Sequence, residues 1–142
     1  MIIPPIHGPL KTPVWPGAFT AALLLAPTSI ALLVASLFFL SPIFPLVALF
    51  SVFMGGPIYL ILGSPTLFYW LRSGQNSPIS AAALGFCVNI AFCLIAGLIA
   101  RVVGKPMEDD FVMMFMFYGS IFAPVWSAVF AFTYNYLTRN DR

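Results

Sequence analysis

The stretch RSGQNSPISAAALGFCVNIAFCLIAGLIAR, residues 72–101, opens and closes on an arginine and carries no charge in between. A helix needs about 20 apolar residues to cross the hydrocarbon of a bilayer, and residues 79–100 supply them in one run. The turn before them, Gly74-Gln75-Asn76-Ser77-Pro78, is hydrophilic and ends in a proline suited to a helix start. Residues 79–100 therefore read as a transmembrane helix.

The same test applies on both sides. Residues 12–71 and 111–138 are also free of charge. The first run is long enough for two spans, divided at Ser41-Pro42-Ile43-Phe44-Pro45, where two prolines end one helix and open another. The second run holds one span. Four spans result, at about 17–40, 46–71, 79–100 and 111–137. Composition agrees: 61% of the 142 residues are hydrophobic and 7% charged, with a mean hydropathy of +1.02. A soluble domain carries roughly a quarter charged residues, so this chain lacks the means to cover a water-facing surface. A disordered chain, a nucleic-acid binder and a disulfide scaffold are excluded because each needs charge, polarity or cysteine that is missing. A membrane barrel is excluded because runs such as Ala31-Leu32-Leu33-Val34-Ala35 do not alternate.

The expected fold is an all-α integral membrane protein, with four transmembrane helices in an antiparallel bundle. Gly55-Gly56-Pro57 and Gly63-Ser64-Pro65 should kink or break the second helix, with 66–71 as a candidate interfacial segment. The fourth span is longer than a ~30 Å slab requires and should tilt, bend at Pro124, or emerge at Tyr134 and Tyr136. Residues 1–16, with Pro4, Pro5, Pro9, Pro13 and Pro16, form an extended arm, and 138–142 a short polar tail. A cleaved signal peptide ending near Ala35-Ser36 is the weaker reading, since the apolar stretch is too long and Lys11 lies too far in.

Basic residues set the orientation. With four spans, Lys11, Arg72, Arg139 and Arg142 fall on one side and Arg101 and Lys105 on the other. This places both termini in the cytoplasm of what is expected to be a bacterial inner (plasma) membrane. Trp15, Tyr69, Trp70, Tyr134 and Tyr136 fall at the same end, where amphipathic rings favour the interface.

Residues for chemistry are scarce. His7, the only histidine, is in the arm, so no haem or metal set is expected and no cofactor is called for. Cys87 and Cys93, six apart on a helix, face different ways and lie beyond disulfide reach. No ionisable group lies at depth, which weakens a proton- or cation-coupled carrier. Glu108, Asp109 and Asp110 suit a helix N-cap and first turn, ahead of a divalent-cation site. Arg101 and Lys105 are candidate contacts to an anionic lipid or a partner, and Met107, Met113, Met114 and Met116 give adaptable packing nearby.

Two rows of mostly small residues stand out. Ala81, Gly85, Asn89, Cys93 and Gly97 lead to Arg101 at i, i+4 spacing, and Gly119, Ala123, Ser127 and Ala131 repeat the spacing in the last span. Small side chains let helix backbones approach in lipid, so these are expected helix-contact faces, with Ala18, Ala22 and Ala26 as a shorter row. Asn89 and Trp126 lie mid-span and each needs a hydrogen-bond partner, for which a direct contact between them is one option if the last two spans are antiparallel neighbours. Trp126 is also expected at a lipid or partner contact.

Together these readings point to a small non-catalytic polytopic membrane protein. It would serve as an accessory, structural or assembly subunit docking by helix contacts to a larger complex, or to further copies of itself. The alternative is a small oligomeric transporter or channel component using the broken second span and Asn89. A lipid-modifying enzyme ranks last, because no nucleophile or histidine stands near the acidic run.

Overall fold

A computed structural model describes residues 13–104 and 109–139. Helix α1, Pro16–Ser36, continues through a tighter turn, Leu37–Phe39. Helix α2 occupies Ile43–Arg72, α3 Pro78–Val102 and α4 Asp109–Leu137. No strand forms among the described residues. All four helices are long and apolar enough to cross a membrane. Phe39 is 91% exposed, Ile79 82% and Phe53 71%, an outer surface that only lipid tolerates. The four-helix antiparallel bundle expected from the sequence is what forms, with each boundary within about three residues at starts and ends.

Proline writes the starts. Trp15 and Ser77 are extended, at φ −83°, ψ 108° and φ −78°, ψ 124°, because each precedes a proline that disfavours helical geometry before it. Pro16 and Pro78 then open α1 and α3 at positions where their missing N–H costs nothing. Glycine writes two of the ends: Gly74 follows α2 at φ 84° and Gly104 follows α3 at φ 69°, left-handed positions that a side chain would strain. Pro27, buried within α1, and Pro124 within α4 leave their helices continuous; the sequence reading passed over Pro27.

The second helix is a bent composite. Helical backbone is unbroken from Ile43 to Arg72, but Ser51–Gly55 and Tyr59–Gly63 are wider π turns separated by the short piece Gly56–Ile58. The cause is local. Pro57 and Pro65 press on the carbonyls four residues earlier, at Phe53 and Ile61, and both carbonyls lie inside the π segments, where bonding five residues apart gives them room. Residues 66–71 accordingly form part of the final piece, Ser64–Arg72, and not a detached segment.

The widening also decides what α2 presents inward. On an α-helix, positions four apart drift by about 40° per step, because a turn holds ~3.6 residues. A π turn holds more, so it drifts the row back. Ser51, Tyr59, Leu67 and Leu71, spaced by fours and eights, are consequently all buried. The regular α3 shows the uncorrected case: Ala81, Asn89 and Cys93 are buried, Gly97 is half-buried and Arg101 is exposed.

Helices α3 and α4 make the most extensive pair, and α1 packs on α4 and on the start of α2. Phe19 meets Phe130 and Phe68 edge to face, at 5.3 and 5.8 Å between centroids. By contrast α2 meets α4 chiefly through Ser51–Gly55 and α3 chiefly through Tyr59–Gly63.

Candidate functional site

That thinner contact leaves a cavity of about 80 Å³ between α2, α3 and α4. Its walls carry no charged residue and are largely apolar. Seven side chains with polar atoms line it, Ser51, Tyr59 and Thr66 on α2, Asn89 on α3, and Tyr118, Trp126 and Ser127 on α4, and three of them stand apart: Tyr59, Asn89 and Trp126, one from each helix. These three are 7%, 9% and 2% exposed, and the Tyr59 hydroxyl, Asn89 Nδ2 and Trp126 Nε1 are buried without a hydrogen-bond partner. Each such group costs about 1–3 kcal/mol when buried unpaired. The other polar side chains behave differently. Ser51 Oγ donates to the Ala48 carbonyl at 2.8 Å and Thr66 Oγ1 to the Leu62 carbonyl at 2.6 Å, each within α2.

Glycines hold the three side chains in place. A Cβ on Gly55 would meet the Trp126 ring at 3.0 Å, and one on Gly63 would meet the Tyr59 ring at 3.1 Å. A Cβ on Gly119 would strike the Asn89 carboxamide, with Cγ at 2.6 Å. The Tyr59 ring in turn stands edge-on to Trp126, with centroids 5.4 Å apart. Each polar side chain therefore rests in a notch that only glycine leaves open.

The structure sorts the sequence candidates. Gly85 lies against α4, where a Cβ would collide with Ser127 Oγ and with the Ala123 carbonyl oxygen at 2.6 Å. Ala81, Cys93, Ser127 and Ala131 are buried, while Ala123 and Gly119 line the cavity. Gly97 is not brought to any neighbour: a Cβ there would meet nothing within 4 Å. The drift of the α3 row carries it outward. Of the residues expected at a lipid or partner contact, Arg101 is exposed and Trp126 is buried in the cavity wall, because α2 covers that face of α4. No hydrogen bond joins Asn89 Nδ2 to Trp126, although both line one cavity. Cys87 is exposed and Cys93 buried, on different faces.

Lys105, Met107, the arm to residue 12 with His7, and the side chains of the acidic run fall outside the described residues. Among those described, no three His, Cys, Asp or Glu side chains gather as for a metal ion.

The aromatic end resolves into two groups. Tyr69 and Tyr136 are 63% and 71% exposed, as an interfacial belt requires. Trp70 and Tyr134 share their level but turn inward: Trp70 Nε1 donates to Ser80 Oγ at 3.2 Å, and the Trp15 backbone N–H donates to the Tyr134 hydroxyl at 3.1 Å. Arg72 caps this end with its guanidinium 5.6 Å from the Phe68 ring centre.

Tyr59 escaped the sequence reading. The signal is available in its position: it stands four residues from both Gly55 and Gly63, between the two interruptions expected to kink or break the helix. No known protein family, curated protein or solved structure matches this chain.

Proposed function

We propose that this chain is a small non-catalytic component of a membrane carrier or channel, working as an oligomer and holding a small molecule among α2, α3 and α4. One observation supports the reading above the accessory-subunit alternative. Three buried side chains from three different helices, each with an unpartnered polar atom, line one cavity beside the irregular span. A mostly apolar pocket with a few convergent polar groups is the usual form of a small-molecule site, and irregular backbone in a membrane helix is commonest where it lines one. The orientation that fits the basic residues has both termini in the cytoplasm of a bacterial inner membrane.

Gentle extraction followed by native mass spectrometry tests the reading. The expected result is a homo-oligomer carrying a small bound mass, with that mass lost in Asn89→Leu. A larger mixed assembly with no bound mass overturns it and favours the second reading, an accessory or assembly subunit. The observation behind that second reading is the end of α3, where a Cβ on Gly97 would meet nothing within 4 Å and Arg101 is exposed, a small-residue face open to another protein's helix.

A further inference from the structure

Resting on the ligand-binding reading above, we infer that the cavity takes the carbonyl group of a neutral lipophilic molecule, whose apolar tail lies in the adjoining surface groove. The donor inventory leads there. Trp126 Nε1–H and Asn89 Nδ2–H₂ can only donate, and the Tyr59 hydroxyl can donate or accept. Their common partner is an acceptor. No charged side chain lines the cavity, so nothing is present to neutralise an anion or a cation. A carbonyl oxygen is neutral and has two lone pairs, enough for both obligate donors, with Tyr59 left for a second oxygen or the same one.

Size sets the rest of the molecule. A dry apolar cavity of about 150 Å³ admits benzene, and the present one, at about 80 Å³, admits a carbonyl and a few attached carbons. A larger ligand needs a way out. Phe50 and Tyr118, whose rings lie 5.7 Å apart, belong both to the cavity wall and to a surface groove of about 460 Å³. The groove's other walls are Ile43, Leu46, Val47, Leu49 and Phe53, every one apolar. A ketone or ester with a single hydrocarbon chain fits both compartments, with its oxygen at the three donors and its chain between Phe50 and Tyr118. The carbonyl has two possible sources, a free small molecule or an ester of the membrane's own lipids.

Each of the chain's three tryptophans contributes one indole N–H signal to a proton–nitrogen NMR spectrum, and the Trp126 signal is the one missing in Trp126→Phe. The full chain is placed in nanodiscs of ether-linked phospholipid, which have no ester carbonyl, and titrated with 2-undecanone or with n-undecane. The ketone is expected to shift the Trp126 signal saturably and leave that of Trp70, which is already bonded to Ser80, in place. Tyr59→Phe and Asn89→Leu should each weaken this binding about two- to tenfold. If the shift is already present in ester-linked lipid without ketone, the membrane supplies the carbonyl; if it needs the ketone in both lipids, a free molecule does. Equal shifts from n-undecane overturn the carbonyl inference and leave the cavity as a ligand site. No shift from either compound, in either lipid, overturns both.

Discussion

Two pairs of the same residues meet opposite fates in this bundle. Trp70 and Tyr134, at the end that gathers Trp15, Arg72 and the α2–α3 turn, are buried and hydrogen-bonded to Ser80 and to the Trp15 backbone. The same end is tied further by Asn135 Nδ2, which donates to the Asn76 carbonyl at 2.6 Å. Trp126 and Tyr59, deeper in the bundle, are buried as well and have no partner. Residue type and burial are shared, so neither explains the contrast. What differs is the neighbouring helix. At the tied end α2 is ordinary α-helix, while deeper in it carries two π turns, through which it chiefly meets α4 and α3 beside the cavity. The tied end is not wholly satisfied either, since Arg72 Nε and Nη2 are buried there without a hydrogen-bond partner, but its tryptophan and tyrosine are bonded by the chain itself and those of the middle are not.

Loose packing in the middle would give the same contrast for a trivial reason, and Gly85→Ala is the sharpest way to expose it. The added methyl meets the α4 backbone, which cannot yield, so the cost should be about 3 kcal/mol in reversible unfolding in detergent. Gly119→Ala meets first the end of the Asn89 side chain, which can swing aside, and should cost about 1 kcal/mol. A mild effect at Gly85 would mean that α3 and α4 are not in close contact and that the contrast is one of density.

A hydroxyl deletion compares the two tyrosines directly. Tyr134→Phe removes the acceptor of the Trp15 N–H and should destabilise by about 1 kcal/mol, whereas Tyr59→Phe removes an unpaired group and should be neutral or stabilise the ligand-free protein by up to about 1 kcal/mol. Equal costs in the same unfolding assay would erase the distinction. The smallest effect is expected at Gly97→Ala, where the methyl enters open space and better helix propensity stabilises by up to about 1 kcal/mol. If that variant instead breaks a complex in native extracts while leaving the purified chain intact, the α3 face belongs to a partner.

The number and placement of the spans were legible because charge is so rare here. Arg72, Arg101 and Arg139 punctuate the apolar runs, and Pro16 and Pro78 mark helix starts within a residue of where composition placed them. The α3 row was legible only in its first half: spacing identifies Ala81, Gly85, Asn89 and Cys93, but where the neighbour stops following, at Gly97, depends on the crossing of two helices. The site was harder still. Gly55-Gly56-Pro57 announces a disturbance without saying whether the helix bends, breaks or widens, since the answer depends on whether the crowded carbonyl has room to move. Only the widened form turns Tyr59 inward beside Trp126, and so the convergence of Tyr59, Asn89 and Trp126 could not be read from spacing along any single helix.

The π turns of α2 carry one further implication, for changes in chain length. Dropping a residue from the middle of α3 would swing everything beyond it by about 100°, moving lipid-facing leucines into the bundle. Within Ser51–Gly55 or Tyr59–Gly63 the same deletion removes the surplus residue of the wide turn and restores ordinary winding, with the helix beyond still aimed as before. The most irregular of the four helices is thus the one whose length is least constrained, and a shortened version would keep its outline while losing the hollow.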